Sequence, residues 1–108
     1  MNAPYQINPA VLQAAAGRAY GLLKTLANPD RLLLLCQMTQ GEFCVSELET
    51  MTGIRQPTLS QQLTVLREEE LVNTRREGKQ IFYSIASKEA MAVLEVLYAL
   101  YCPKEKEA

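Results

Sequence analysis

Cys36, Cys44 and Cys102 are the side chains of this chain best suited to covalent chemistry, and no histidine accompanies them. With no set of nucleophile, base and orienting group in view, repeated catalytic turnover has no machinery, and only thiol chemistry that occurs once per signal is left. The chain therefore reads as a non-enzyme with no cofactor. In a reducing compartment three cysteines do not make a disulfide framework; they are reactive thiols, metal ligands or core residues.

A second stretch suits non-covalent recognition. From Arg55 to Glu70 the sequence reads as a helix, with Pro57 preset for a first helical position and Leu59, Leu63 and Leu66 in one narrow sector. The opposite surface carries Gln61 and Thr64, flanked by Thr58 and Ser60. A helix that is only solvated usually shows charges there. Short hydroxyls and amides can instead enter a major groove and touch phosphates or base edges without the cost of stripping water from an unpaired charge.

The elements that position these groups follow from caps and periodicity. Residues 1–7 read as a mobile arm. Asn8 with Pro9 starts a helix whose apolar side holds Val11, Ala14, Ala15, Leu22, Leu23 and Leu26, and Gly17 and Gly21 let another helix approach it. Asn28 with Pro29 repeats the signal, and Leu32 to Cys36 is apolar on all sides, which marks a core helix. Glu42 to Val45 has room for one short strand. Ser46 with Glu49 reads as a capping box for a third helix, and Gly53 ends it in a left-handed turn.

A short helix, a tight glycine-containing turn and a second helix with a polar outer face make a helix-turn-helix over residues 46–70. The period then changes. Leu71 to Arg76 and Gln80 to Ile85 favour strand, with Glu77-Gly78-Lys79 as the turn between them, so residues 71–85 form a wing with basic residues at its tip. Ser87 caps a last helix to about Cys102, and residues 103–108 are a charged tail. The fold class is mainly α with a β-hairpin wing, in the order α-α-(β)-α-α-β-β-α.

At 108 residues this is a single domain near the size at which a dimer interface helps. The last helix holds Met91, Val93, Leu94, Val96, Leu97, Tyr98, Leu100 and Tyr101, more apolar surface than one contact face requires. That excess predicts a homodimer through the first and last helices. Two recognition helices would then lie about 34 Å apart on a palindromic double-stranded site. The net charge of −1 is a poor match to a nonspecific nucleic-acid binder, so DNA contact should be local. Gln56, Thr58, Ser60, Gln61 and Thr64 are assigned to the major groove and nearby phosphates, and Arg75, Arg76 and Lys79 to the backbone or minor groove. No apolar run is long enough to span a bilayer and no secretory signal opens the chain, so a cytoplasmic protein is expected.

In Leu22 to Leu32, Glu42 to Leu48, Gln56 to Arg67 and Arg75 to Tyr83 the chain resembles the ArsR/SmtB family of bacterial winged-helix repressors, over roughly residues 8–102. The resemblance implies a DNA-binding repressor that a small inducer releases. Many members sense metals, but the histidine-containing sites of the last helix have no counterpart here. The Cys-Val-Cys metal segment is matched by Cys44-Val45-Ser46, which keeps one thiolate of two, so no metal site is expected. Cys36 and Cys102, 66 positions apart, are placed as in the BigR, SqrR and HlyU branch. That resemblance implies a dithiol on two packed helices that reacts with persulfide, other reactive sulfur species or oxidant. Within the regulator reading, zinc or arsenic sensing through Cys36, Cys44 and Cys102 is the alternative. A winged-helix protein-interaction module without a DNA target, supported by the acidic balance and Glu68 to Glu70, is the alternative from another class.

Overall fold

Residues 6–103 are described by a computed structural model, and the mobile arm expected over 1–7 and the charged tail expected over 103–108 lie largely outside them. Five helices and a small sheet follow in the order α1 (Pro9–Leu26), α2 (Pro29–Met38), β1 (Phe43–Cys44), α3 (Val45–Thr52), α4 (Thr58–Glu68), β2 (Val72–Glu77), β3 (Gln80–Ile85) and α5 (Lys88–Tyr101).

Local chemistry accounts for most of these boundaries. The side-chain oxygens of Asn8, Asn28 and Ser87 accept backbone N–H bonds from Ala10, Arg31 and Ala90 and so cap α1, α2 and α5. Gly53, at φ +76, turns the chain left-handed at the end of α3, a conformation without penalty only for a residue lacking Cβ. The hairpin connection is Gly78-Lys79, with Glu77 paired to Gln80. Gly78 has φ +62 at the first of the two central positions, as a tight type II′ turn prefers.

Two sequence expectations are corrected here. The cap of α3 is Cys44 rather than Ser46: the carboxylate of Glu47, not Glu49, accepts the Cys44 N–H at 2.9 Å. The spacing of a capping box is kept but shifted two residues toward the N-terminus, because β1 ends at Cys44 and the helix follows it without a linker. The recognition helix also begins later than expected. Arg55 and Gln56 precede it, and Pro57 is the cap rather than the first helical residue.

One apolar cluster joins these elements. Leu34, Leu35 and Met38 of α2 meet Leu48 of α3, Leu59, Leu63 and Leu66 of α4, Tyr83 of β3, and Ala90 and Leu94 of α5. Leu33 points outward, so α2 is central but not buried all round. The sheet order is β1-β3-β2, antiparallel throughout, and its β1–β3 pairing (Phe43 with Tyr83, Cys44 with Phe82) ties the wing to the start of α3. In α1 only Thr25 and Leu26 are buried. Its expected apolar side is therefore divided: Leu26, with Leu22 packed beside it, joins the core, whereas Val11 and Leu23 are exposed, as is Tyr20.

Because Leu63 is 2% exposed at the middle of the leucine face, Leu63→Ala is expected to cost about 2–5 kcal/mol of stability. Urea unfolding followed by circular dichroism measures this.

Candidate nucleic-acid interface and dithiol

The outer face of α4 is built on a buried one. Leu59, Leu63 and Leu66 fall at a spacing that puts them on one side, and all three are sealed in the core. Ser60, Gln61 and Thr64 are thereby turned to solvent, and Thr58 is half-buried at the helix start. These groups are partly engaged within the helix. The Gln56 amide oxygen accepts both the N–H of Ser60 at 3.0 Å and its hydroxyl at 2.7 Å, and the Thr64 hydroxyl donates to the Ser60 carbonyl at 2.9 Å. Gln56 thus caps α4 from the turn, a local role that its type and position made readable but that the sequence reading did not assign. Gln61 makes no side-chain hydrogen bond to another described residue and has its full donor and acceptor set available.

The wing residues divide. Arg75 reaches across to β1's entry, where its guanidinium donates to both carboxylate oxygens of Glu42, with the shortest contact at 2.8 Å. It also pairs with Glu77 and lies 4.7 Å over the Phe82 ring. Hydrogen bonding to Arg75 holds the Glu42 carboxyl below its usual range, and the bonds to Glu42 and then Glu77 push the Arg75 guanidinium up. Its pairing with Glu42 and Glu77, not with the Glu68 to Glu70 cluster, makes Arg75 a strut between wing and body. Arg76 donates through Nε to the Gly78 carbonyl at 3.2 Å, which braces the hairpin turn. Lys79 sits at the exposed tip.

The cysteines occupy three different environments. Cys44 is buried, and its sulfur lies 3.3 Å from the Ser46 hydroxyl. Cys36 is half-buried on α2, whereas Cys102 is exposed at the end of α5. The α5 helix packs against α2, and this brings the two into electrostatic reach. The Cys36 thiol is pushed up first by burial and then by the charge of Cys102. A groove of about 270 Å³ between the two helices is lined by Thr39, Gln40, Leu94 and Tyr98 among others. Thr39 and Tyr98 lie about one helical turn from Cys36 and Cys102 respectively. Among the described residues, no group of three or more Cys, Asp or Glu is clustered to hold a metal ion. Among them also, no helix is long and apolar enough to cross a membrane.

With this geometry in place, the chain compares closely with known proteins. Residues 28–74 match the model of the bacterial regulatory protein, arsR family. The biofilm growth-associated repressor of Agrobacterium fabrum is 60% identical over 85 residues, which span 79% of this chain and 73% of that one. The crystal structure of the transcriptional repressor BigR from Xylella fastidiosa superposes with a TM-score of 0.82 at 46% identity, covering 91% of this chain and all of that one. Reduced HlyU from Vibrio cholerae superposes with a TM-score of 0.82 at 40% identity, covering 85% and 97%.

A raised value keeps Cys36 a neutral thiol, and the nucleophile is the thiolate, so its reactivity grows as pH rises through that value. At pH about 8, iodoacetamide is expected to label the exposed Cys102 first, with Cys36 following only above the ordinary thiol range. Peptide mass spectrometry across a pH series reads the order.

Proposed function

Because this chain belongs to the arsR family of bacterial regulatory proteins, within its BigR- and HlyU-like branch, we propose that it is a dimeric DNA-binding repressor released from its operator when Cys36 and Cys102 react with reactive sulfur species or an oxidant. The family is one of transcriptional regulators, not enzymes. The observation that carries the DNA half of the reading is the division of α4 into a buried leucine side and an exposed amide and hydroxyl side. Gln61 and Thr64 at its centre suit base edges or nearby phosphates, Ser60 and Thr58 suit phosphates, and Lys79 and Arg76 at the wing suit the flanking backbone. Gln56 serves by holding Ser60, and Arg75 by holding the wing.

Dimerisation is supported by apolar surface that a single chain leaves open. Tyr20 of α1 is 64% exposed, and Leu100 and Tyr101 of α5 are 70% and 79% exposed. A Cβ added at Gly17 or Gly21 would meet nothing within 4 Å, which leaves α1 flat enough for a helix of a second copy. A two-fold pair through α1 and α5 would present two α4 helices to one palindromic site.

The sensing half is supported by the paired environment of Cys36 and Cys102 and by the relatives' branch. With a persulfide R–S–SH, the Cys102 thiolate attacks the sulfane sulfur, releases the thiol R–SH and becomes Cys102–S–SH. The Cys36 thiolate then attacks the Cys102 sulfur, forms the disulfide and releases hydrogen sulfide. Two thiols are oxidised and one persulfide is reduced. A bond between α2 and α5 draws on the same two helices that frame the core and the dimer face, which gives the chemistry a route to the reading heads.

Gln61→Ala is expected to weaken binding to the chain's own promoter fragment by about 1–3 kcal/mol and to leave binding to random DNA nearly unchanged. Equal loss on both, measured by fluorescence anisotropy, makes Gln61 a phosphate contact. Persulfide treatment is expected to release the wild-type protein from the promoter and to leave Cys102→Ser bound. A Cys102→Ser protein that still dissociates removes the dithiol from the mechanism.

A further inference from the structure

Arg31 joins three helices that the apolar core alone holds only loosely in rotation. Its Nε donates to the Thr25 carbonyl at 2.7 Å, in the last turn of α1, where carbonyls lack intrahelical partners. Its Nη1 donates to the Gln62 amide oxygen at 2.9 Å, halfway along α4. Its own N–H is held by the Asn28 cap at 3.0 Å, which fixes the residue at the start of α2. Thr25 is itself buried, and its hydroxyl donates to the Gly21 carbonyl at 3.2 Å. Among the described residues, the Arg31–Gln62 bond is the one side-chain hydrogen bond that ties α4 to α1 or α2.

Gln62 lies on the flank of α4, half-buried between the sealed Leu63 and the exposed Gln61. Leucine contacts are non-directional, so a helix seated on them can roll by a few degrees at small cost. A bond from a planar guanidinium to a flank amide is directional and resists that roll. Since Gln61 and Thr64 share the helix with Gln62, the roll angle decides where their polar atoms point.

We propose that Arg31 is a positioning residue: by bridging the Thr25 carbonyl to Gln62 it fixes the rotation of the recognition helix against the α1 and α2 frame, and so sets how well specific DNA is told from random DNA. The proposal rests on the DNA-binding reading above. It also places the link on α2, the helix that carries Cys36, so a displacement of α2 is passed to α4 through a named, directional bond as well as through their shared core.

The test replaces Gln62, which leaves Arg31 to keep its α1 contact. Gln62→Met keeps the side-chain volume and removes the acceptor. Its promoter-to-random affinity ratio is expected to fall about tenfold, the size of a lost hydrogen bond to a charged group, with random-DNA affinity unchanged. Gln62→Glu keeps the acceptor, and its charge weakens both DNAs alike, so its ratio is expected to stay within about threefold of wild type. Amide hydrogen exchange without DNA gives a second readout: Gln62→Met should speed exchange over residues 58–68 and leave 9–20 unaffected. A Gln62→Met protein with wild-type ratio and wild-type exchange overturns the proposal, as does a Gln62→Glu ratio that falls with that of Gln62→Met. Should wild type itself fail to prefer its promoter, the DNA-binding reading fails, and the exchange comparison alone then decides the role of Arg31.

Discussion

Leu59, Leu63 and Leu66 recur on one side of α4 and are all buried, so the helix has a single way down onto the core and its other side must face outward. Each fully buried leucine is worth about 1.5–3 kcal/mol. No polar contact on the surface competes with that. The amides and hydroxyls of the exposed side are therefore held in place by residues that never meet a ligand. The rest of the molecule either supports this seat from below, as α2, α3 and Tyr83 do, or extends the surface sideways, as the wing does.

The base of the wing is anchored by Val72 and Tyr83 in the core and by the β1–β3 pairing, and its outer part is tied back by charge. Beyond Val72, β2 is exposed along its length, and its fixed point is Arg75 between Glu42, Glu77 and the Phe82 ring. Exposed ion pairs of this kind contribute little singly, but a two-oxygen contact to Glu42 with a ring beneath it fixes geometry as well as energy. The carboxylates that hold Arg75 also take it out of the free positive charge of the wing and leave Lys79 as its exposed tip. This fits a chain of net charge −1, in which positive charge must be spent locally.

Features set by near neighbours in sequence were legible in the residues alone. Asn8 with Pro9, Asn28 with Pro29, and Ser87 all cap the helices their types announce, and the change of period after Glu70 marks the two strands of the hairpin. Where two solutions share one spacing, the residues alone do not separate them. Ser46 with Glu49 and Cys44 with Glu47 are equivalent patterns, and the strand pairing of Cys44 with Phe82 decides between them. Bonds between distant parts of the chain left no signal at all: Arg75 with Glu42 and Arg31 with Gln62 are each more than thirty positions apart. The nearness of Cys36 and Cys102 belongs to the same class, and only likeness to a family suggested it.

In the dimer proposed through α1 and α5, two copies of α4, each seated by its leucines and kept from rolling by the Arg31–Gln62 bond, would make one reader with a fixed span. Hydroxyl-radical footprinting of the promoter with the reduced protein measures that span directly. Two protected segments are expected on one face of the duplex, related by a two-fold axis, with centres about one helical turn or a whole number of turns apart. A single protected segment, or protection spread evenly along the fragment, contradicts a two-fold reader.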